Sequence, residues 1–350
     1  MASKVAVAIS GGVDSAVTAA MLVEQGFDVS AVTLRLLPGT SSACEHAELI
    51  ARHLGISHTI LDLSAEFEDA VIKPFCRSYA AGLTPNPCVI CNRKIKFGCL
   101  LDYIRQAGMD YLATGHYARL VLSDGQIRLL KGVDSAKDQS YFLYALSQPQ
   151  LSSLMFPLGV YHKRDVYIKA RGLGLDNLVQ THESQDICFI PGGNYTELVE
   201  KCGISSPGDI VDSNGRVLGR HAGIARYTVG QRQGLGISSQ QRLYVLEIDA
   251  AQNCVIVGSH AELYSSEISV DNLTWPGGGP PVNLRDISVK VRSQAGQVPA
   301  EIILAGDTAN IRLASPQWAV SPGQSAVFYR GDEVLVGGII TGAGPGNDDE

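Results

Sequence analysis

Three cysteines combine residue type and spacing in a way that suits sulfur or metal chemistry. Cys88 and Cys91 lie in the sequence TPNPCVICNRKIKF (residues 84–97), and Cys188 lies much further along, in DICFI. Thiolates act as nucleophiles, as sulfur carriers and as soft metal ligands. The Cys-x-x-Cys pair alone allows a zinc half-site, a redox pair or two structural cysteines, and no second such pair completes a zinc site. The fold must therefore bring Cys188 to the pair if the three are to act together.

A second motif, SGGVDS (residues 10–15), suits the binding of phosphate. It lies between a strand-like and a helix-like segment, where backbone amides and the helix dipole attract anions. Two glycines allow phosphate to approach the chain closely, but Asp14 repels it unless a metal ion lies between them. We therefore expect Mg²⁺ to bridge Asp14 and a pyrophosphate group. The motif is not a Walker A loop, and its structural alternative is a glycine turn with a helix N-cap.

The elements that must position these motifs follow a regular order in the first third of the chain. Buried strand patterns such as VAVAI (residues 5–9) alternate with helical patterns such as residues 15–26 and 65–82. Their short connections predict right-handed crossovers and an α/β fold with a mostly parallel sheet between helices. Further on, the sequence predicts helices at SYFLYALSQ (140–148) and KRDVYIKARGLG (163–174).

The remainder of the chain is predicted to be rich in β-strands. The hairpin candidates are the Asp-Gly turn at 124–125, the Asn-Gly turn at 214–215 and residues 242–258. The segment 274–283, which is rich in proline and glycine, indicates a linker or long turn. Short alternating strands over 284–340 indicate a small barrel.

Composition bounds the class of protein. A chain of 350 residues with 45% hydrophobic content forms two or three domains, and no apolar run approaches the roughly 18 to 20 residues that span a bilayer. The N-terminus lacks a signal-type apolar block, so we expect a cytoplasmic protein with no membrane partner. In a reducing compartment, eight cysteines do not predict a disulfide framework. The cysteines outside the motifs are expected to be ordinary buried residues, namely Cys44, Cys76, Cys99, Cys202 and Cys254.

The distribution of charge is uneven. A net charge of −7 on its own counts against nucleic acid as a partner. However, the segment 213–246 contains no acidic residue and five arginines, Arg216, Arg220, Arg226, Arg232 and Arg242. A second basic cluster follows Cys91 and consists of Arg93, Lys94 and Lys96. A run of charge is usually a solvated face, but an acid-free stretch with glycine-rich turns favours contacts with phosphate.

Seven ordered strings extend these motifs over nearly the whole chain. They are GGVDS, TPNPCVICNRKIKF, LATGHYARL, KDQSYFLYALS, DICFI, TVGQRQGLGI and SPGQSAVFY, and together they resemble the bacterial tRNA-specific 2-thiouridylases, which are PP-loop ATP pyrophosphatases. The resemblance implies a PP-loop catalytic domain with a helical extension (1–200) and a central β-rich domain that contacts tRNA (201–265). It further implies a C-terminal β-barrel (266–345), a disordered tail (346–350) and a monomer.

The resemblance also implies a reaction in two steps. ATP adenylates O2 of the wobble uridine, position 34 of the tRNA, and sulfur then displaces AMP at C2. The implied cofactors are ATP and Mg²⁺. The implied partners are tRNA and a sulfur donor, which is a cysteine desulfurase, a sulfur-relay protein or sulfide. In the family account Cys188 carries the sulfur as a persulfide, and Cys91 assists transfer and forms a disulfide as the sulfur leaves.

Other roles carry over from the family residue by residue. The implied ATP-binding residues are Ala8, Ile9, Ser10, Gly11, Gly12, Val13, Asp14, Ser15, Leu34 and Gly115. Asn86, Pro87 and Cys88 are implied to border the flipped target base. The implied tRNA contacts are His116, Lys137, Asp138, Gln139, Arg292 and Gln324. The segment after Leu34 is shorter than in many relatives, so no contact is carried over to it.

One departure from the family pattern concerns the sulfur chemistry. Many members have aspartate where this chain has Cys88, so three cysteines surround the expected site. Three thiolates with one open corner suit a 4Fe-4S cluster whose fourth iron binds sulfide, with Cys88, Cys91 and Cys188 as its ligands. Persulfide chemistry without a cluster is the alternative, and the sequence leaves both open.

Two other functions compete with tRNA thiolation. One is a PP-loop amidating synthetase acting on a small carboxylate or carbonyl substrate, although neither a glutaminase domain nor a small-molecule pocket is evident. The other is a non-catalytic RNA-binding protein with a metal clip at Cys88 and Cys91. Release of pyrophosphate that depends on tRNA separates the three hypotheses.

Overall fold

The computed structural model describes residues 2–39, 41–175, 187–190, 195–202, 206–281 and 283–344. The first part of the chain contains, in order, β1 (Lys4–Ala8), α1 (Val13–Glu24), β2 (Asp28–Arg35), α2 (Ser41–His53), β3 (Ser57–Asp62), α3 (Ser64–Phe67), α4 (Lys73–Ala80), α5 (Pro87–Ile90), α6 (Leu100–Gln106), β4 (Tyr111–Ala113), β5 (Ala118–Ser123), β6 (Gln126–Lys131), α7 (Gln148–Leu151), β7 (Leu154–Met155), α8 (Lys163–Gly172) and α9 (Tyr195–Lys201). Strands β3-β2-β1-β4-β7 form one parallel sheet in that order.

Burial explains why β1 occupies the middle of this sheet. Val5, Ala6 and Val7 have no exposed surface, and successive residues of a strand point to opposite faces. Val5 and Val7 pack in the core on the side of α1 and α8, whereas Ala6 packs in the core on the side of α6. A strand covered on both faces confirms the predicted α/β fold with a parallel sheet between helices.

The central part of the chain forms a separate small sheet. Its strands are β8 (Gly208–Asp212), β9 (Val217–His221), β10 (Tyr244–Asp249) and β11 (Cys254–Gly258). They lie in the order β10-β11-β8-β9, with β8 and β9 joined at the predicted Asn-Gly turn and β10 and β11 forming the other predicted hairpin. Gly215 has a φ of +81°, which explains why a glycine follows the asparagine.

The last part of the chain forms a six-stranded barrel. Its strands are β12 (Tyr264–Thr274), β13 (Ser288–Lys290), β14 (Val298–Ala305), β15 (Thr308–Trp318), β16 (Ser325–Arg330) and β17 (Glu333–Gly344). Pairing of β12 with both β15 and β17 closes the barrel, as the sequence predicts. The segment 275–281, within the predicted linker, contains no helix or strand.

The first domain and the barrel share a sheet. The β5–β6 hairpin, which turns at the predicted Asp-Gly dipeptide, extends the barrel sheet because Leu130 pairs with Glu333 of β17. The Tyr141 hydroxyl also donates to the Ser325 carbonyl at 2.7 Å. The domain division 1–200, 201–265 and 266–345 stays a prediction, and the predicted disordered tail 346–350 lies outside the described residues.

The prediction of a helix at 140–148 is wrong. Only a short 3₁₀ turn, Ser140–Phe142, forms there, and α7 begins at Gln148. Tyr141, Leu143 and Leu146 are almost fully buried between the first domain and the barrel, so packing on several sides replaces the one-sided burial of a surface helix. The predicted helix at 163–174 is confirmed as α8.

The expectation of unpaired cysteines is also corrected. Cys76 of α4 and Cys202, after α9, form a disulfide across 126 residues. The contact arises because α9 packs on α4, where the rings of Tyr79 and Tyr195 stack 4.4 Å apart. Cys202 is exposed, contrary to the prediction of burial, while Cys44 is buried and Cys99 and Cys254 are half-buried. Among the helices of the described ranges, none has the length and apolar character that crossing a bilayer requires.

Candidate active site

The predicted phosphate-binding motif forms a loop at the carboxyl end of β1, here called the nucleotide loop (residues 10–15). Gly11 has a φ of +81°, and a Cβ there would lie 3.1 Å from the Ala43 carbonyl oxygen. Ser15 Oγ donates to the Gly12 carbonyl at 3.0 Å and accepts from the Ser10 amide at 3.2 Å. The first amides of α1 have no partners within the helix, so this loop presents donors suited to an anion.

Two further predicted nucleotide residues lie at the same edge of the sheet. Leu34 is near the end of β2, which pairs directly with β1, and Gly115 follows β4 on the other side of β1. A Cβ on Gly115 would lie 2.9 Å from the Asp14 carbonyl carbon and 3.1 Å from the Ser15 amide nitrogen. Only glycine therefore allows the segment after β4 to pack against the start of α1.

The Asp14 carboxylate is held by two donors that sequence reasoning did not assign. Lys163 Nζ donates to both carboxylate oxygens, each at 2.8 Å, and the Tyr117 hydroxyl donates to Oδ1 at 2.7 Å. Tyr117 lies in the LATGHYARL string, but Lys163 is 149 residues from Asp14 and carried no sequence signal. A carboxylate has about four acceptor positions, so Asp14 can still share an oxygen with a Mg²⁺ ion beside these two donors.

The three cysteines lie in one region of the first domain, near enough to interact electrostatically. Cys88 lies in α5, and Cys91 begins a π-helical segment, Cys91–Cys99. The next residue after Cys188 is Phe189, whose ring packs edge-on against Phe67 at 5.4 Å and Phe75 at 5.5 Å. This aromatic contact anchors Cys188 near the pair, and the three thiols interact electrostatically. Cys91 is buried, Cys88 is half-buried and Cys188 is exposed.

A single lysine offsets the effect of burial on these thiols. Burial raises the pKa of Cys88 and Cys91, that of Cys91 to about 11. Protein atoms around the Cys188 thiol have the same effect on its pKa although the residue is exposed, and the positive charge of Lys96 opposes the rise in all three. The turn of a π-helix joins residues five apart, which turns Lys96 towards the side of Cys91. Within the described ranges, Lys96 forms no ion pair with a carboxylate.

His116 lies between the nucleotide loop and the cysteines. It follows Gly115, its Nδ1 shares a hydrogen bond with Thr114 Oγ1 at 2.7 Å, and its ring packs against Phe97 and Phe156. Burial, and then the charge of Lys96, lower the pKa of His116 well below 6.5. The imidazole is therefore neutral at pH 7 and does not supply a cation for RNA.

The predicted target-base residues lie beside the barrel. Asn86 and Pro87 begin α5, and just before them the Thr84 amide donates to the Pro322 carbonyl at 2.8 Å. Gln324 Nε2 donates to the Thr84 carbonyl at 3.1 Å, so this predicted tRNA residue contacts the chain two residues before Asn86.

Arg292, another predicted tRNA residue, is held within the barrel. Its guanidinium stacks over Trp318 at 5.7 Å and donates to the Ala319 carbonyl and to Ser321 Oγ. Burial lowers the pKa of Arg292, and the nearby Tyr141 hydroxyl opposes this effect.

The remaining predicted tRNA residues occupy a loop next to Tyr117. Gln139 Oε1 accepts from the Tyr117 amide, and the Gln139 amide donates to the Tyr117 carbonyl, each at 2.9 Å. The Asp138 carboxylate accepts hydrogen bonds from the Gly132 amide and from Ser140, so it is engaged within the loop. Lys137 is half-buried in the same loop.

The five arginines of the acid-free segment are all exposed. Arg220 pairs with Asp209 at 3.6 Å, and Arg226 pairs with Glu200. Arg216, Arg232 and Arg242 have no carboxylate partner in the described part of the chain, which leaves three cations available to an anionic surface.

The described residues do not form a ready-made metal site. No three His, Cys, Asp or Glu side chains among them are grouped closely enough to hold a metal ion. The three thiols therefore share an electrostatic environment without the geometry of a preformed cluster site.

Comparison with known proteins assigns the chain to a family. Family models described as a tRNA methyl transferase HUP domain, a tRNA methyl transferase PRC-barrel domain and an aminomethyltransferase beta-barrel domain match residues 3–192, 196–259 and 265–340. The tRNA-specific 2-thiouridylase MnmA of Dehalococcoides mccartyi is 45% identical over 97% of both chains. Its namesake from Chloroflexus aurantiacus is also 45% identical, over 97% of this chain and 98% of its own.

A solved structure gives a weaker likeness. The U34-tRNA thiolase NcsA from Methanococcus maripaludis, with its 4Fe-4S cluster, is 20% identical with a TM-score of 0.36, over 57% of this chain and 64% of its own. A likeness at that level carries no argument about the cysteines. The full-length matches, by contrast, show that the chain belongs to the tRNA-specific 2-thiouridylase (MnmA/TrmU) family.

Proposed function

We propose that this protein replaces O2 of the wobble uridine of tRNA, position 34, with sulfur and uses ATP to do so. Its family membership makes it a tRNA sulfurtransferase. One observation supports a single site for both steps: Gly115 packs against Asp14, and the ring of the next residue, His116, lies 5.5 Å from that of Phe97 in the π-helical segment that begins at Cys91. The nucleotide loop therefore adjoins the segment that carries Cys91, and the charge of Lys96 acts on His116 and on all three thiols.

The first proposed step is adenylation of the uracil. Residues 8–15, Leu34 and Gly115 bind ATP at the carboxyl edge of the parallel sheet, where the amides of α1 favour the phosphates. The uracil O2 attacks the α-phosphate, the bond to the β-phosphate breaks, and pyrophosphate leaves. Mg²⁺ bound with ATP would offset the charge of the phosphates. The oxygen at C2 is then part of a good leaving group.

The second proposed step moves sulfur to C2. Cys188 is exposed and so is accessible to a cysteine desulfurase or a sulfur-relay protein. The Cys188 thiolate takes the outer sulfur of the donor's own persulfide as the donor's sulfur–sulfur bond breaks, whereas sulfide would be the donor only in the cluster route. The terminal sulfur of a Cys188 persulfide attacks C2, and the bond from C2 to AMP breaks. The Cys91 thiolate attacks the inner sulfur, so a disulfide between Cys91 and Cys188 forms as the persulfide bond breaks. A thiol reductant restores both cysteines.

The proposed tRNA surface runs from the cysteines to the barrel. The base must leave the anticodon stack to reach the cysteines, and Asn86, Pro87 and Cys88 border the place where it would lie. Gln324 hydrogen-bonds the Thr84 carbonyl, two residues before Asn86. The exposed arginines of the central sheet would contact phosphates, and the active unit is proposed to be a monomer with the domain division predicted above.

Cys88 decides between the two proposed sulfur chemistries. Iron content distinguishes the persulfide route from a 4Fe-4S cluster on Cys88, Cys91 and Cys188, because only the second requires Cys88 as a ligand. Iron and acid-labile sulfide, measured per chain in protein purified without oxygen, test this for wild type and Cys88→Ala. Full thiolation without iron supports the persulfide. Iron that is lost together with activity in Cys88→Ala establishes the cluster instead.

The other candidate reactions make different predictions. An amidating synthetase would release pyrophosphate without tRNA, and a non-catalytic RNA-binding protein would release none. Two of the matched family models are described by methyl transfer, but the relatives that match over the full length are named for thiolation, and the cysteines agree with sulfur chemistry. The deciding experiment is pyrophosphate release with and without tRNA, alongside detection of 2-thiouridine. Release only with tRNA, and a thiolated product, are expected.

A further inference from the structure

We propose that a turn of the barrel, here called the barrel turn (residues 322–325), is a positioning element that holds the helical stretch of Cys88 and Cys91 at both ends. That stretch consists of α5 and the start of the π-helical segment. In this account Gln324, which the sequence predicted as a tRNA contact, acts through the Thr84 carbonyl and not through the RNA. The inference rests on the proposed function, because it assumes that the cysteines act on a base of tRNA.

The chain before α5 is bound to the barrel turn through its backbone. The Thr84 amide donates to the Pro322 carbonyl at 2.8 Å, and Gln324 Nε2 donates to the Thr84 carbonyl at 3.1 Å. Gly323, between these two partners, has a φ of +91°, and a Cβ there would lie 2.9 Å from the Thr84 amide nitrogen. The barrel turn therefore holds both backbone groups of Thr84, and it can approach so closely because residue 323 has no side chain.

The chain after Cys91 is tied to the same turn by two further hydrogen bonds in series. Asn92, which is only 4% exposed, donates from Nδ2 to the Phe142 carbonyl at 3.1 Å. The neighbouring Tyr141 hydroxyl donates to the carbonyl of Ser325, the last residue of the barrel turn, at 2.7 Å. Both ends of the stretch that carries the cysteines therefore lead to the barrel turn.

The stretch needs such contacts because it cannot fix its own position. α5 has four residues, and a helix of that length does not persist in water by itself. Val89 and Ile95 are buried and keep the stretch against the core, but apolar packing is not directional. Hydrogen bonds at the two ends determine where Cys88 and Cys91 lie along the surface of the first domain.

The proposed reaction makes that position critical. Reacting atoms must approach to about 3–3.5 Å, and a displacement of about 1 Å can slow a reaction about a hundredfold. The RNA is proposed to bind the barrel and the central sheet, whereas Cys88 and Cys91 belong to the first domain. The central sheet also contacts the chain before α5, since a Cβ on Gly82 would lie 2.8 Å from the Ile248 carbonyl oxygen of β10. The barrel turn thus relates the surface that holds the RNA to the thiols that act on it.

The first test uses the full-length protein and compares Gln324→Met with Gln317→Met. Methionine keeps the length of the side chain but removes its donor. Gln317 is the matched control, because its side-chain amide donates to carbonyls of its own strand. Hydrogen exchange measured by mass spectrometry, without tRNA or ATP, should be about threefold to tenfold faster over residues 84–92 in Gln324→Met and unchanged in Gln317→Met.

Kinetics separate positioning from direct contact with RNA. In Gln324→Met we expect the Kd for tRNA to stay within about twofold of wild type, while the kcat of thiolation falls about tenfold to a hundredfold. A residue that binds tRNA directly would instead weaken the Kd and leave kcat unchanged. Gln317→Met should match wild type in both quantities.

A second pair of variants alters the contact without removing any side chain that RNA could bind. Gly323→Ala adds a methyl group against Thr84. Gly331→Ala, between β16 and β17, is its control, because Gly331 also has a positive φ, +58°, but no atom lies within 4 Å of its added carbon. Both variants carry the strain of a positive φ, so the difference between them reports the contact with Thr84. We expect kcat to be about tenfold lower in Gly323→Ala than in Gly331→Ala, with an equal Kd for tRNA.

Three results would overturn the inference. They are unchanged exchange over residues 84–92 in Gln324→Met, a weaker Kd for tRNA with an unchanged kcat in that variant, and equal kcat values for Gly323→Ala and Gly331→Ala. If Gly323→Ala does not fold, the comparison of Gln324→Met with Gln317→Met decides alone. The exchange measurement needs neither tRNA nor ATP. It therefore tests the hold of the barrel on the helix even if no thiolated tRNA forms, which is the result that would refute the proposed function.

Discussion

The nucleotide loop and the cysteines adjoin, yet the charged side chain of the loop has an oppositely charged partner and that of the cysteine segment does not. At the loop, Asp14 is paired with Lys163 and Tyr117 by short hydrogen bonds. At the cysteines, Lys96 has no carboxylate partner among the described residues, and burial keeps the thiols protonated. The nucleotide loop is therefore arranged before ATP binds. The segment that carries the cysteines instead keeps the Lys96 ammonium available for an anion that forms during the reaction. Four experiments test this contrast.

The largest expected effect comes from Cys188→Ser. A hydroxyl cannot carry a persulfide, so 2-thiouridine formation should fall below detection, at least a thousandfold. Pyrophosphate release with tRNA should stay within about threefold of wild type, because the loop is untouched. Mass spectrometry of nucleosides and a pyrophosphate assay measure the two separately. Cys254→Ser, in the central sheet, is the control, and thiolation by Cys188→Ser would remove Cys188 from its proposed role.

The second experiment, Gly115→Ala, disturbs the loop and should spare the cysteines. The new methyl group would lie 2.9 Å from the Asp14 carbonyl carbon, so the start of α1 must shift. We expect a loss of about 1–3 kcal/mol in the free energy of unfolding and a rise in the KM for ATP of tenfold or more. Gly172→Ala is a matched control, since no atom lies within 4 Å of its added carbon. An unchanged KM would show that the segment after β4 does not shape the ATP site.

The third experiment, Lys96→Met, concerns the reactivity of the cysteines. The Lys96 charge lowers the pKa of Cys91 against the rise caused by burial, so its removal should raise that pKa above about 11. Below the pKa the thiolate fraction falls tenfold for each unit of rise, so alkylation of iron-free protein at pH 8 should slow about threefold to tenfold. The rate should increase with pH in both proteins. Lys94→Met removes an exposed charge from the same segment and should not alter the rate; equal slowing by both variants would point to a general field effect.

The smallest effect is expected from Gln150→Ala. Gln150 Nε2 donates to the carbonyls of Phe97, at 2.6 Å, and Arg93, at 3.1 Å, both in the π-helical segment that carries Cys91. Loss of these donors, together with the hydrogen bonds that Gln150 Oε1 accepts from the Ser147 amide and hydroxyl, should cost about 1 kcal/mol and lower the thermal midpoint by about 2 °C. Differential scanning calorimetry measures it, with Gln106→Ala, an exposed residue of α6, as control. A fall no larger than in the control would mean that water satisfies these carbonyls equally well.

The sequence predicted those features that depend on neighbouring residues. The parallel sheet follows from alternating patterns such as residues 5–9 and 15–26, and the hairpins follow from Asp-Gly and Asn-Gly turns. The prediction of a helix at 140–148 was wrong because the apolar residues there are buried on several sides, by the barrel among others. Local patterns report which residues avoid water, but not which element covers them.

The sequence could not predict contacts made between distant elements. Lys163 meets Asp14 across 149 residues, and Cys76 meets Cys202 across 126. The sequence assigned Lys96 only to a basic cluster. Its position near Cys91 depends on a π-helical turn that no pattern of residues predicts. The residues predicted for the site were largely those in motifs, whereas the residues that hold them in place were not.

The paired hydrogen bonds between Gln139 and Tyr117 connect two of the proposed binding regions. Gln139 hydrogen-bonds both the amide and the carbonyl of Tyr117, and the hydroxyl of the same Tyr117 donates to Asp14. If the loop of Lys137 and Gln139 receives tRNA as proposed, RNA and ATP would contact opposite ends of one series of hydrogen bonds that runs from Gln139 through Tyr117 to Asp14.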